Sequence, residues 1–597
     1  MRIEKKELLP TSMLVWIVMA MAGLPSLLSA ENAKETPKWE PNRVDFAMYF
    51  HSEVKDAPEC SMDVQDGRIV FGQGISNPSM TCPDMFSWKL FTEVVQDRFW
   101  SKWADEDDNW PAKPYRLCEP GESPKTAECC KPKDPNNDPC HCPKFPGDAE
   151  KTTVRYLQNS LREHLFGPLE SGPGADLGTV PEVTSECGKP RDKVVRSCSE
   201  YPLPDHIESI GRVIRFTNGE LTVRNEAFHD YLFQNDLYNA DGVIAVFQKN
   251  HQNVWQRSPY RVAPVASHSA SQGISKIDFP SDSIMIKSNW MNAELLERIG
   301  EKYGWDSAHG GHSYIAKEMK QELSLREKDK DGKDIVYDCS GKHYLMAFHI
   351  SSKDIPNWVW TTFEHVNLPG RCDITGCNDS WGYASSDPDI PDGAADNYVR
   401  PKVRVEKAFS DRRGDIFRRD QIYAAEQARP QLTNVFEALG IGTGSKAGDH
   451  PAAQDPAWLN YRLKGSQVEY VDATGRPTFL GNSVTEAGFI DGSSCMTCHA
   501  RAGADKFGPS FLARGTGGQP QRKPAGVRGL PLGVFLNDLS DFGYARSAFG
   551  APDPNWFYGS TRPASLKVMQ TDFVWGFFHA SPLDKAKSGE RSGRSQP

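Results

Sequence analysis

The chain has 597 residues, a formal net charge of −10, 10% aromatic residues and 14 cysteines. An acidic balance of this kind argues against a nucleic-acid binder, whose domain is usually basic. The length exceeds one compact core, so two or three domains are expected.

Taken in order, the chain opens with an export signal. Arg2, Lys5 and Lys6 form a basic end, an apolar run follows from Leu8 to Ala30, and Ser29-Ala30 offers small residues for cleavage. Leu28 departs from the small residue favoured at the −3 position, and Pro10 and Pro25 make the run a poor spanning helix. The expectation is a periplasmic protein with residues 1–30 as signal peptide; the alternative is an uncleaved N-terminal membrane anchor facing the periplasm. No cysteine follows the run closely, which argues against a lipoprotein.

Residues 31–201 form a Cys-rich N-terminal segment. The periodicity of Ser87 to Ala104 predicts a helix with Trp88, Phe91, Val95 and Phe99 on one side, as core. From Trp110 to Pro146 the sequence is rich in Pro and Cys, including Cys129-Cys130 and Cys140-His141-Cys142. Clustered thiols and imidazole suit a metal, but in an oxidising compartment a disulfide-stapled loop is the better reading. A second helix is predicted from Thr152 to Phe166, followed by a Gly- and Pro-rich linker.

Residues 202–429 read as a central α+β domain. Arg212 to Thr217, Asn218-Gly219 and Leu221 to Val223 give a strand–turn–strand signal. Asn225 to Tyr238 is more helical, and strands are predicted at Ser283–Trp290, Tyr344–Ile350 and Trp358–His365. Cys372 and Cys377 flank a short loop. Asp329-Lys330-Asp331-Gly332 hints at calcium, but no Glu completes an EF-hand loop, so a solvated turn is preferred. His349 and His365 each sit on or beside a strand with aromatic neighbours. Satisfied core histidines are the commoner outcome there, with access to iron or to a substrate as the alternative.

Residues 430–597 carry the chemistry. Cys495-Met496-Thr497-Cys498-His499 is the attachment signal for haem c, in which two thiols bond the porphyrin vinyl groups and the adjacent histidine becomes the proximal iron ligand. A redox dithiol would need a βαβ context that the sequence does not display. A zinc site would want a second ligand pair, and the chain has no other C-x-x-C. One haem c per chain is therefore expected, held by Cys495, Cys498 and His499. It takes two cysteines, and the even remainder predicts a disulfide framework.

Other stretches of this region and of the central domain carry a resemblance. Trp458 to Leu463, Gly465-Ser466-Gln467, the turn at Thr474 to Pro477, Gly481 to Glu486, Trp358 to His365 and Gln570 to Trp575 resemble large exported bacterial proteins of the cytochrome c family. The likeness covers roughly the C-terminal two-thirds. It implies one covalent haem, export and electron transfer, and supplies neither a substrate nor a sixth ligand.

Downstream of His499 the only methionine is Met569 and the only histidine His579. A helix is predicted over Leu566 to His579, with Met569, Phe573 and Gly576 on one face, so Met569 is the candidate distal ligand. The alternatives are a packing role for Met569, an open iron, or a histidine from the central region. Arg501, Lys506, Arg514, Arg522, Lys523 and Arg528 form a cationic stretch, read as a solvated loop in preference to a docking face for an acidic redox partner. The fold class expected overall is multidomain α+β: the disulfide-rich segment, a mixed α/β-sheet domain and a mainly helical and loop haem region. The function expected is electron transfer between a donor and an acceptor that the sequence leaves unknown. The alternatives are a haem c oxidoreductase with a substrate site in the central domain, or a haem-based binder of a small gas.

Overall fold

A mixed nine-stranded sheet runs through the protein, and everything bearing on the haem motif is built on its two faces. The computed structural model describes most of residues 56–147, 193–203, 217–255, 273–303, 312–368, 379–384, 427–448, 452–486, 493–509 and 550–583, with the short segment 156–159. The described residues all belong to one compact unit, Arg43–Pro597. The predicted signal segment, the Cys372–Cys377 loop and most of the cationic stretch lie outside the described residues.

The sheet strands are β1 (Tyr156–Asn159), β2 (Lys193–Ser197), β3 (Gly219–Arg224), β4 (Ile284–Asn292), β5 (Ala316–Lys328), β6 (Asp334–Asp338), β7 (Gly341–Ser352), β8 (Val359–His365) and β9 (Tyr461–Gln467). Their order across the sheet is β9-β8-β7-β4-β3-β1-β5-β6-β2, and β7 also pairs with β5. The β6–β2 and β1–β5 pairs are parallel and the others antiparallel. All three sequence segments therefore contribute strands to one sheet, and the Cys198–Cys339 disulfide ties the first segment to the second.

One face of the sheet is apolar. Helix α1 (Pro83–Gln96) begins with Pro at its first position, where no amide partner is lost. It ends before Arg98, whose φ of 53° breaks the helix. Trp88, Phe91 and Val95 face the sheet as their spacing predicts, and Phe99 joins them one turn later. Phe91 packs 4.9 Å from Phe363 and 5.8 Å from Phe348, between ring centroids. Each such buried aromatic contributes about 1.5–3 kcal/mol. Helix α3 (Pro430–Leu439) closes this core through Leu432, Val435 and Phe436 and stops at Gly440, whose φ of 70° suits glycine.

The Cys-rich tract is stapled as expected. Cys60–Cys82, Cys118–Cys129 and Cys130–Cys142 are disulfides, and His141 stacks on Tyr115 with its Nδ1 on the Lys113 carbonyl. These bridges belong to an oxidising environment. Among the described residues no helix is long and apolar enough to cross a membrane.

Several local expectations are corrected. Within the predicted helix Thr152–Phe166, residues Tyr156–Asn159 are strand β1. Of the predicted first strand of the hairpin, the described residues Ile214 and Thr217 are helical, and Asn218 N donates to the Ile214 carbonyl before β3 begins. The Asp329–Gly332 stretch is the β5–β6 turn, in which Asp329 accepts the amides of Asp331 and Lys333. Helix α2 (Glu226–Gln234) forms as read, with Asn225 capping the Phe228 amide. Residues 430–597 also prove less helical than expected, since they supply β9 and all three strands of a small sheet.

Candidate haem site

The second face of the sheet is polar yet buried. Register places Arg224, Met285, Ser351, Trp360 and Gln467 in one cross-strand row, and Thr222, Lys287, His349 and Thr362 in the next. Glu220, Asn289, Ala347, Glu364 and Arg462 form a third row. Strand β8 reads as alternating because Trp360, Thr362 and Glu364 point to this face, but every one of its residues is buried.

The segment leading into the haem motif covers that face and satisfies its polar groups. Asn482 donates to Thr362 Oγ1 at 2.9 Å, Ser483 Oγ to Glu364 at 2.7 Å and Thr485 Oγ1 to Asn289 Oδ1 at 2.5 Å. Glu486 Oε1 accepts from His349 Nε2 at 3.2 Å, and Glu486 Oε2 accepts from Asn482 N at 2.8 Å. Gly481 comes so close to Ser493 that a Cβ there would lie 2.6 Å from Ser493 Oγ. Buried polar groups must find such partners, so this network sets where the chain lies.

The motif itself is a short helix, α4 (Cys495–His499), capped by Ser494, whose Oγ accepts the Thr497 amide. Gln467 from β9 holds it at two points, donating to Ser494 Oγ at 2.9 Å and accepting from Met496 N at 2.9 Å. Cys495 and Cys498 are the cysteines among the described residues that are not in disulfides, and both are partly buried. Burial pushes the Cys495 thiol well above its ordinary value and that of Cys498 up to about 11.

His499 is the most informative group. Its Nδ1 donates to the Phe573 carbonyl at 2.8 Å, which fixes the tautomer and leaves the Nε2 lone pair for a metal. Burial lowers its pKa to about 3, with smaller effects from Lys287, His349 and Glu486, so the ring is neutral. Trp360 lies against it, 4.4 Å between ring centroids. The donor set fits haem c: two thiols one helical turn apart, a neutral imidazole oriented through its far nitrogen, and an aromatic wall. Cys495, Cys498 and His499 would hold the group.

The Phe573 carbonyl is aimed by unusual backbone. Asp572 and Phe573 have φ of 47° and 67°, and Trp358 has φ of 62°. Residues of this size rarely adopt that region, at roughly 1–3 kcal/mol each. Asp572 anchors the turn: it accepts from Lys353 Nζ at 2.6 Å, Trp358 Nε1 at 3.2 Å and Phe279 N at 2.7 Å. No composition or periodicity signal marked this turn. The predicted Leu566–His579 helix is absent: strand β12 (Met569–Gln570) pairs with β10 (Gly503–Asp505), which also pairs with β11 (Gly508–Pro509), and Trp575–His579 is a 3₁₀ turn.

Met569 is buried in the same apolar cluster as Met496, Ala500 and Phe573. It lines a cavity of about 320 Å³ with Phe573, Lys353 and Asp572, to which Cys495, Cys498 and His499 contribute nothing. His365 is stacked 3.7 Å from Tyr314, with Nε2 on the Ser313 carbonyl and Nδ1 accepting from Asn367 N. Both its nitrogens are used, so it is a structural histidine. His579 lies beside Trp110, 3.7 Å from Glu106. His349 stands on the polar face with its Nδ1 unpartnered and buried. Arg501, read from sequence as part of a solvated loop, is fully buried. No family model, curated protein or solved structure matches the chain.

Proposed function

We propose that the protein is an exported, periplasmic monohaem c-type cytochrome that passes electrons between a donor and an acceptor. The observation that carries this reading is the Nδ1–H bond of His499 to the Phe573 carbonyl. A histidine next to two thiols at C-x-x-C spacing, with its outer nitrogen fixed in this way, is prepared as a metal ligand. Haem c supplies a one-electron couple at its iron. The chain's own part is to hold Cys495 and Cys498 on a rigid turn, orient His499, and wall the site with Trp360. The disulfides support an oxidising location. Attachment to the membrane through an uncleaved N-terminus remains the alternative to free export.

A second reading, a haem c oxidoreductase, has one observation in its favour. The cavity beside Phe573 is lined mainly by central-domain and C-terminal side chains, among them Lys276, Asp278 and Lys353, and it reaches the residue that orients His499. Absorption spectra of oxidised and reduced protein, with and without carbon monoxide, separate the two. A low-spin spectrum indifferent to the gas is expected for electron transfer; ready binding of carbon monoxide favours the enzyme or a gas binder.

A further inference from the structure

Among the described residues of the polar face several buried side-chain atoms lack a hydrogen-bond partner, Glu220 Oε2, Arg224 Nε and His349 Nδ1 among them, and His349 is the imidazole of that set. His349 occupies the middle of central strand β7 and is 8% exposed. Its Nε2 faces Glu486 Oε1 at 3.2 Å, and a carboxylate can only accept, so the ring proton sits on Nε2. Glu486 is itself held through its second oxygen by the Asn482 amide. In the neutral ring His349 Nδ1 then keeps its lone pair, buried and without a partner. A buried acceptor left unmet in a native structure asks for a partner: a water, an ion or a bound group.

Position favours the iron as that partner. Trp360 packs on His499, and His349 is the diagonal neighbour of Trp360 on the same face, about 7–8 Å away by sheet geometry. Glu486 belongs to the segment that enters the haem motif, so one covalent stretch carries both the proximal turn and the anchor of His349. Met569 is placed differently. The two ring nitrogens of His499 point away from each other; Nδ1 is turned to Phe573, so Nε2 is turned away from it. Met569 shares its cavity with Phe573 and not with His499.

We propose that His349, held by Glu486, is the distal ligand to the haem iron, giving bis-histidine coordination in place of histidine–methionine. This rests on haem attachment at Cys495 and Cys498. A second histidine also implies a lower potential than methionine ligation.

The test uses full-length protein, with covalent haem quantified first by its pyridine haemochrome. Wild type without covalent haem would defeat the attachment reading itself. With haem present, the wild type should be low-spin, should lack the long-wavelength methionine–iron band and should ignore carbon monoxide. H349A should lose the low-spin spectrum and bind carbon monoxide, and added imidazole should restore the low-spin form. M569A should leave the wild-type spectrum unchanged. A haem-loaded H349A that keeps the wild-type spectrum would overturn the proposal, as would a methionine band abolished in M569A. If position 349 variants fail to mature, electron–nuclear double resonance on wild type grown with ¹⁵N-histidine decides: two coordinated imidazoles support the assignment and one refutes it.

Discussion

Asp572→Ala removes the anchor of the turn that orients His499, and its cost follows from what it leaves behind. Lys353 is 6% exposed and pairs with Asp572 at 2.6 Å and Asp278 at 3.3 Å. Breaking a buried pair by deleting one partner costs about 3–5 kcal/mol. Asp278 remains for Lys353, but it is partly exposed and already engaged by Lys276 at 2.6 Å, so the offset is partial. The Phe279 amide and the Trp358 indole also lose their acceptor, at about 1–3 kcal/mol for each buried donor. These losses share one carboxylate and do not simply add, so the expected destabilisation is about 3–5 kcal/mol in all. Urea unfolding of the haem-loaded protein measures it, with an unchanged slope required. The released Phe573 carbonyl should also loosen His499 and broaden the low-spin spectrum. Asp278→Asn is the control and should cost far less. A loss under about 1 kcal/mol for Asp572→Ala, with the wild-type spectrum, would refute the role given to this carboxylate.

Other perturbations test other parts of the structure. Gly481→Ala places a methyl 2.6 Å from Ser493 Oγ and 3.3 Å from Glu486 Cγ, so about 1–3 kcal/mol should be lost in a urea titration and haem incorporation should fall. Beneath β9, burial and the neighbouring Asp84 raise the Asp379 carboxyl to about 7 and the Asp56 carboxyl to about 8. Both folded-state values lie above the ordinary unfolded one, so the stability tied to these protons is full below the unfolded value and is lost as pH rises through the folded ones. The urea midpoint should therefore drop between about pH 4 and 8 and level off above that, and Asp379→Asn should flatten the drop.

What was legible in the sequence was what short-range rules dictate. The Trp88–Phe91–Val95 spacing gives a helix with a core face, the strand runs at 283–290, 344–350 and 358–365 pair as neighbours, and C-x-x-C-H marks the motif. The errors fell where tertiary partners decide. Arg212 to Thr217 has strand composition, yet a helical bond from Asn218 to Ile214 ends it. The Leu566–His579 periodicity suggested a helix, but Asp572 is claimed by Lys353 and Trp358, and the chain turns through positive φ instead. Alternation puts Thr362 and Glu364 on one face of β8. That face is buried because Asn482 and Ser483, more than a hundred residues away, supply its hydrogen bonds. The His349–Glu486 pair arises from the same long-range closure, which no local pattern encodes.

The central claim is covalent haem at Cys495 and Cys498, and the most direct measurement is haem on the denatured chain. Purified protein extracted with acid-acetone and run on a denaturing gel should retain haem peroxidase activity at the full-length band, with one haem per chain by pyridine haemochrome. Cys495→Ala/Cys498→Ala should abolish the signal. Haem that extracts into the solvent, or a signal that survives loss of both cysteines, would contradict it.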